Sequence, residues 1–173
     1  MTSTGNGTRA GQQMVAQLRA FHAPLRRDVA TLHQALAQLS DAVIDVDRVD
    51  GLIQGLTTAD LAWQLKSGCQ WYCQALEGHH NVEDARMLPV MERAFPALRS
   101  RIKTLRQQHE EVLLLLQQVV RASRAMTIDR PETVIQVRDL VAELADSLQT
   151  HLALEETTLF PYFLRMDRDW HYG

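Results

Sequence analysis

The sequence predicts an all-α protein, an antiparallel up-down-up-down four-helix bundle, on three observations. Four long segments repeat apolar residues with helical spacing, and short stretches containing glycine or proline separate them. No segment alternates polar and apolar residues with a period of two, as a half-buried strand would. The chain has 173 residues, which is enough for one core that needs no covalent staple.

The domain organisation follows from the same pattern. Residues 1–8 carry no apolar repeat, and we expect them to be disordered. The bundle is predicted over residues 9–166, and residues 167–173 are interpreted as a C-terminal tail.

The first helix is predicted over about residues 9–45, where apolar residues recur at spacings of three, four or seven. Pro24 interrupts this pattern and is expected to bend the helix. Glycines break the pattern after this helix, and Thr57 or Thr58 offers an N-cap for the second helix, predicted over about 58–94.

The third and fourth helices follow equally clear breaks. The stretch FPAL precedes a helix over about 97–126, and TIDRPET precedes one over about 131–166, with Pro131 in its first turn. Pro89 and Pro161 lie inside the second and fourth helices, and each is expected to kink its helix by freeing a carbonyl oxygen.

Charge and composition exclude several classes of function. The chain has 18 Lys and Arg against 21 Asp and Glu and no basic block, so we expect neither a nucleic acid nor an anionic membrane as partner. No apolar run approaches the roughly 20 residues of a membrane span, and the first residues lack a secretory signal, so we expect a cytoplasmic protein. Cys69 and Cys73 are interpreted as buried apolar side chains, with a redox or metal-binding thiol pair as the alternative.

A short motif occurs twice in the chain. Residues 78–91 read GHHNVEDARMLPVM, and residues 150–163 read THLALEETTLFPYF. Both copies have His in the second position, Glu four residues later, another acidic residue directly after it, and a proline further on. Residues four apart lie about 40° apart around a helix and about 6 Å along it, so the His and Glu of each copy project from one stripe.

The residues of this repeat fall into two groups. The stripe residues are His79, Glu83, His151 and Glu155. Asp84 and Glu156 follow the glutamates, are rotated by about 100°, and are interpreted as supporting or solvated residues. A shorter echo, Arg-x-x-His, adds His22 on the first helix and His109 on the third. Each half of the chain is therefore a hairpin with one His on its first helix and His-x-x-x-Glu on its second.

Two such hairpins, related by a pseudo-twofold axis, bring four imidazoles and two carboxylates together in the core. One inward His is usually a core residue, but two buried carboxylates would cost several kcal/mol each without a compensating cation. Six ligands exceed the four of one zinc ion, whereas two metal ions bridged by the glutamates match the number. Mixed imidazole and carboxylate ligands favour iron.

The pattern H…HxxxE…H…HxxxE, with LP or FP closing both repeats, resembles the hemerythrin-like, or HHE cation-binding, family of non-haem di-iron four-helix bundles. The resemblance covers about residues 15–165. It implies a cofactor of two non-haem iron ions with a bridging oxygen, and bridging glutamates. The implied ligands are His22, His79, Glu83, His109, His151 and Glu155.

The chain departs from the oxygen-carrying members of that family in one ligand. They have His-x-x-x-His on the third helix, and here Leu105 stands at the first of those positions. They also end with a carboxylate five residues after the last His, so Glu156 remains an alternative to Glu155. If each iron takes six ligands, the set above leaves about two positions open, whereas a fifth His would leave about one.

Two open positions favour a peroxide that reacts across both irons. The expected function is therefore catalase-like disproportionation of hydrogen peroxide, in the setting of oxidative stress, although whether the protein is an enzyme stays open. The alternative is a module that binds or senses dioxygen or nitric oxide. In either case the expected partner is a small molecule.

Several residues near the motifs receive other interpretations. His80 points about 100° away from His79 and is interpreted as a supporting or interhelical residue rather than a ligand. His33 lies about 16 Å along the helix from His22 and is too far to reach the same metals. Tyr72 is interpreted as core packing, with a hydrogen bond or radical relay near the iron as the alternative. Five C-terminal aromatic residues are expected to close the bundle end or to mediate association: Phe160, Tyr162, Phe163, Trp170 and Tyr172.

Overall fold

The computed structural model describes residues 7–44 and 58–167, and these residues contain helices and no strand. The helices are α1 (Arg9–Ile44), α2 (Thr58–Val82), α3 (Leu88–Ala94), α4 (Arg99–Ala125) and α5 (Pro131–Phe163). A π-helical turn, Glu83–Met87, joins α2 to α3, and a 3₁₀ turn, Pro96–Leu98, precedes α4. Because α2, the π turn and α3 follow one another without a break, residues 7–44 and 58–167 form four long helical segments.

The helices pack in the order of an up-and-down bundle. α1 packs against α2, α2 against α4, α4 against α5, and α5 against α1. The start of α1 meets the end of α5, where the Thr8 backbone N–H donates to the Leu164 carbonyl oxygen at 2.9 Å. This arrangement confirms the predicted all-α four-helix bundle. None of the described helices is long and apolar enough to cross a membrane.

The contact between the two ends of the bundle also explains how α1 begins. Thr8 caps the helix, because its Oγ1 accepts a hydrogen bond from the Gly11 backbone N–H at 2.9 Å and donates one to the Met166 carbonyl. Gly11 lies so close to α5 that a Cβ atom there would be 2.1 Å from the Phe163 carbonyl oxygen. The helix can therefore dock here only with glycine at this position.

Some of the sequence expectations lie outside the described residues. These are residues 1–6 of the predicted N-terminal segment, the side chains of Thr57 and Thr58, and the tail residues Trp170 and Tyr172. Phe163 is described and is buried at the end of the bundle, as expected.

The prolines inside the predicted helices have different local surroundings. α1 runs unbroken through Pro24, in agreement with its predicted range of about 9–45, because one lost backbone hydrogen bond does not end a helix packed along its length. The bend expected at Pro24 stays a prediction. Ahead of Pro89 the helix widens into the π turn, in which the Leu88 N–H donates to the Glu83 carbonyl. π turns are frequent at functional sites, and this one begins at a predicted ligand residue.

Apolar residues form two clusters with a polar layer between them. On α4, for example, Leu105 belongs to the smaller cluster and Val112 to the larger, and His109 lies between them. Cys69 and Cys73 are free thiols buried in the larger cluster, and burial raises their pKa to about 11 and about 12. Both thiols are therefore protonated at neutral pH, which agrees with their interpretation as apolar core residues.

Candidate metal centre

The structure brings all six predicted ligand residues together in the polar layer of the bundle. Each of the four long helical segments contributes at least one of them. Five are buried, and His79 is 11% exposed at its side chain. Their role as ligands remains a prediction, but the convergence that it requires is present.

The potential ligand atoms form two overlapping groups. The first, here called the His22 cluster, consists of His22, His79, Glu83 and Glu155. The second, here called the His80 cluster, consists of His80, Glu83, His109 and His151. Within each cluster one ligand atom per residue lies within 4.8 Å of all the others. Glu83 belongs to both clusters, as expected of a bridging carboxylate.

Distances within the His22 cluster are short between imidazoles and carboxylates. His22 Nε2 lies 3.2 Å from Glu155 Oε2 and 4.0 Å from Glu83 Oε1. His79 Nε2 lies 3.1 Å from Glu83 Oε1. The nitrogens of both imidazoles therefore face the two carboxylates.

The His80 cluster is held mainly by imidazoles. His109 Nε2 lies 3.2 Å from His151 Nε2 and 3.5 Å from Glu83 Oε2. The His80 ring stacks on the His109 ring, with centroids 4.1 Å apart and planes 11° from parallel. Glu155 Oε2 lies 3.9 Å from His151 Nε2, so both glutamates are shared between the two sides of the centre.

The carboxylates that follow the two glutamates in sequence contact the outer nitrogens of imidazoles on neighbouring helices. Glu156 Oε1 lies 2.8 Å from His22 Nδ1 and accepts a hydrogen bond from Arg26 at 2.8 Å. Asp84 Oδ1 lies 3.0 Å from His109 Nδ1. The hydrogen bond from Glu156 orients the His22 imidazole so that its other nitrogen faces a metal, which fits the prediction that Glu156 supports the site. The Asp84 contact has an ion-pair distance but not the geometry of a hydrogen bond.

Gln108 supplies a third partner of this kind. Its side-chain Oε1 lies 3.2 Å from His151 Nδ1, so His151 also directs Nε2 towards the centre. Neither copy of the repeated motif contains Gln108, which lies directly before His109, and nothing in the motif spacing indicated this contact.

Burial keeps most of the imidazoles neutral. It lowers the pKa of His79 to about 4 and that of His151 to about 3, and it also lowers the pKa of His80. His22 differs: burial lowers its pKa, but the neighbouring carboxylates, Glu155 above all, outweigh that effect and raise it to about 10. Neutral imidazoles have the free lone pair that a metal ligand requires.

The two glutamates of the centre differ in their pKa shifts. Burial and the nearby Glu155 carboxylate raise the pKa of Glu83 well above its usual range. For Glu155, burial acts in the same direction, but His22 outweighs it and lowers the pKa. His22 and Glu155 therefore form an ion pair, whereas the metal-free site favours the protonated form of Glu83, and a bound cation would favour its carboxylate.

Unpartnered polar atoms test whether these residues fit a metal. Among the described residues, no hydrogen-bond partner exists for either carboxylate oxygen of Glu83 or Glu155, nor for Nε2 of His22, His79 and His80. Burying such atoms without partners costs several kcal/mol in total, and cations coordinated by them would remove that cost. Ligand atoms on one ion at about 2.1 Å are at most about 4.2 Å apart, so clusters of this size need little contraction.

An apolar groove between α1 and α2 reaches the centre from one side. It has a volume of about 720 Å³, and its walls include Phe21, Trp71 and Tyr72 together with His79 and Glu83. Phe21 and Trp71 are each 65% exposed and flank the groove. A small uncharged molecule can therefore reach the His22 cluster through this groove.

The remaining residues near the motifs have simpler roles. The Tyr72 hydroxyl donates to the Leu25 carbonyl oxygen at 3.0 Å, and burial raises its pKa, which agrees with a packing role. Leu105 is fully buried in the smaller apolar cluster. His33 is half-buried on α1 and belongs to neither metal cluster.

His80 is the residue whose position the sequence least indicated. Its ring is interhelical, as interpreted, but it also lies among the atoms that can hold an ion. The available signal in the sequence was the pair of adjacent histidines. α2 packs against α1 on one side and α4 on the other, so both histidines of the pair can face a neighbouring helix.

Comparison with known proteins identifies one match. A family model described as hemerythrin HHE cation binding domain matches residues 13–163. Neither the search of curated proteins nor that of solved structures gave a match.

Proposed function

The chain belongs to the hemerythrin HHE cation-binding family, and we propose that it holds two non-haem iron ions, one in each cluster. The observation that carries this proposal is the burial of two carboxylates, Glu83 and Glu155, whose four oxygens have no hydrogen-bond partner among the described residues. A single cation bound in one cluster would leave the imidazoles of the other cluster without a metal. Glu83, present in both clusters, is suited to bridge two ions.

The mixture of donor atoms supports iron as the metal. Imidazole nitrogens and carboxylate oxygens occur together in each cluster, and thiolates are absent from both. Calcium and magnesium prefer oxygen ligands alone, and four neutral or anionic residues per ion without cysteine are unlike most structural zinc sites.

The proposed reaction is disproportionation of hydrogen peroxide. One peroxide takes up two electrons and two protons and becomes two waters, and a second peroxide gives up two electrons and two protons and becomes dioxygen. A pair of irons supplies this two-electron exchange when bound. Two features support this reaction. The groove admits a small molecule. In addition, α4 contributes one predicted ligand rather than two, because Leu105 belongs to the apolar core, and this leaves a coordination position open for peroxide.

A second candidate function is reversible binding of dioxygen or nitric oxide. The observation that favours it is the fifth imidazole at the centre, that of His80, which was not counted among the ligands in the sequence. More protein ligands leave fewer open positions, and one open position suits end-on binding rather than reaction across two ions.

Oxygen evolution separates the two functions. Iron-loaded protein is mixed with hydrogen peroxide in a closed electrode chamber, and dioxygen is recorded beside a sample of His151→Ala as a metal-deficient control. Catalase-like activity predicts rapid dioxygen release with one dioxygen for every two peroxides consumed. Release no faster than in the control, together with a reversible spectral change under dioxygen or nitric oxide, would favour the binding module.

A further inference from the structure

We propose that His80 is itself a metal ligand and completes, from α2, the imidazole set that α4 leaves incomplete at Leu105. This inference rests on the proposed metal centre and concerns how the two ions differ. In the His80 cluster the ligands would be three imidazoles and Glu83, whereas the His22 cluster has two imidazoles and two carboxylates.

The position of the His80 ring supports ligation. The residue is 5% exposed, and its ring lies 5.0 Å from that of His151, with planes at 81°. Its ring also stacks on that of His109, so one of these two rings must turn for both to direct a nitrogen at the same ion. His109 and His151 already place their Nε2 atoms 3.2 Å apart. Two ligand atoms at right angles on one ion, each about 2.1 Å from it, would be about 3.0 Å apart.

A packing role alone does not account for this residue. His80 Nε2 is buried and has no hydrogen-bond partner among the described residues. An apolar side chain of similar shape would fill the same space without leaving a polar atom unsatisfied, and leaving one unsatisfied typically costs about 1–3 kcal/mol. Coordination gives the nitrogen a partner.

The packing of the bundle explains why neighbouring residues can serve different ions. α2 packs against both α1 and α4, so a rotation of about 100° from His79 to His80 turns the side chain from one neighbour to the other. His79 therefore meets His22 on α1, with ring centroids 5.2 Å apart, and His80 meets His109 on α4.

Ligation by His80 would make the centre asymmetric in its reactivity. If both glutamates and one oxygen are shared by the two ions, a third imidazole would fill the six positions on the His80 side and leave about one position open on the His22 side. The apolar groove reaches that same side, because its walls include His79 and Glu83 but none of His80, His109 and His151. An incoming small molecule would therefore meet the ion of the His22 cluster.

The test compares His80→Phe, which keeps an aromatic ring against His109 but removes the donor atoms, with His33→Phe as a matched control outside both clusters. Metal-free proteins are titrated with Co²⁺, and bound metal and the visible d–d spectrum are recorded. We expect the wild type and His33→Phe to bind two ions. In His80→Phe one ion should bind about 100-fold more weakly, since even supporting residues typically change metal affinity about 10–100-fold.

Two further measurements keep the proposal falsifiable if His80→Phe folds poorly. The double variant His80→Phe/Leu105→His should recover binding of the second ion, because position 105 lies one turn before His109 on the same stripe. A crystal structure of the metal-loaded wild type should show a His80 ring nitrogen about 2.0–2.2 Å from an ion.

The outcomes distinguish this inference from the proposed function. Ligation by His80 would be overturned if His80→Phe bound two ions tightly with an unchanged spectrum. It would also be overturned if the metal-loaded crystal structure showed the His80 nitrogens more than about 3 Å from both ions. Either result would leave the dinuclear centre intact. A wild-type protein that binds one ion would contradict the dinuclear proposal. In that case His80→Phe still decides, because a ligand role requires that this one ion bind more weakly.

Discussion

The two metal clusters share Glu83 but differ in their donors and in their surroundings. The His80 cluster has three imidazoles, and the cavity beside it is small, about 80 Å³, with His80, Asp84 and His109 in its lining. The His22 cluster has two imidazoles and two carboxylates and forms part of the wall of the 720 Å³ apolar groove.

A nearly symmetric sequence thus produces an asymmetric site. Both hairpins carry His on the first helix and His-x-x-x-Glu on the second, yet only one repeat has a second His directly after the first. That one residue, in a helix with two buried sides, changes the donor set of one cluster. The other cluster has the simpler set and lines the groove, so under the proposed ligation an exogenous molecule would bind at one ion while the other ion has more imidazole ligands.

The largest expected effect comes from the carboxylate that both clusters share. Glu83→Gln should lower the metal content from two ions towards none, because both ions lose an anionic ligand. Glu77→Gln, on the exposed face of α2, is the matched control and should keep both ions. Metal analysis of the purified variants checks this, and retention of one full equivalent by Glu83→Gln would mean that Glu83 does not bridge.

Histidine substitutions should affect the clusters one at a time. His79→Ala should lose the ion of the His22 cluster, and His151→Ala that of the His80 cluster. Each should also lower the unfolding free energy of the metal-loaded protein by about 3–5 kcal/mol, because a buried carboxylate loses its compensating charge. Thermal unfolding and metal analysis are the measurements.

His33→Ala is the control for these two variants, since His33 lies outside both clusters. It should change neither metal content nor unfolding temperature by much. Equal effects from all three substitutions would instead identify the histidines as core residues of a metal-free bundle.

The carboxylates that contact the outer nitrogens of His22 and His109 should have intermediate effects, each on one cluster. Glu156→Gln removes the anionic partner of His22, and Asp84→Asn removes that of His109. Each should weaken one ion by about 10–100-fold without abolishing binding. Competition with a metal chelator measures the two affinities, and the assignment fails if each variant weakens both ions equally.

The affinity of the two clusters should also depend differently on pH. In the metal-free protein the carboxylates, led by Glu155, outweigh burial and raise the pKa of His22 to about 10, so His22 is protonated at pH 7. A ligand must be neutral, so binding displaces this proton, and the affinity of the His22 cluster should rise with pH by up to about tenfold per unit below pH 10.

Affinities measured at pH 6.5, 7.5 and 8.5 check this expectation. Two histidines of the His80 cluster have no proton to release in this range, because burial lowers the pKa of His80 and lowers that of His151 to about 3. That ion should therefore show a weaker pH dependence, and identical slopes for both ions would contradict the proposed charge states.

Much of the fold was predictable because each helix carries its own signal. Apolar spacing predicted the bounds of the four helical segments to within a few residues. The family was inferred from the repeated motif, and the family-model match over residues 13–163 confirms it. Local patterns failed where packing decides. Pro89 was expected to kink its helix, but nothing in the sequence indicated that the helix ahead of it forms a π turn at Glu83.

The candidate centre was predictable where one helix face was enough to define it. The i,i+4 spacing of His79 with Glu83 indicated a shared stripe, and the structure brings both to the centre. The inward position of His80 could not be read in this way, because it depends on which helix packs on the next side of α2. Similarly, the choice between Glu155 and Glu156 depended on a neighbouring helix: Glu155 lies in a cluster, and Glu156 contacts His22 Nδ1 and Arg26.

The most direct test of the central claim is the number of metal ions that the two clusters hold. Protein produced with ample iron is purified, and iron and zinc are quantified per chain alongside the near-ultraviolet and visible spectrum. We predict two irons per chain and an oxo-to-iron charge-transfer band, with both lost in Glu83→Gln and both kept in Glu77→Gln. Purified protein that holds one zinc and no iron would contradict this proposal. So would protein that holds no metal and whose unfolding temperature does not change when iron is added.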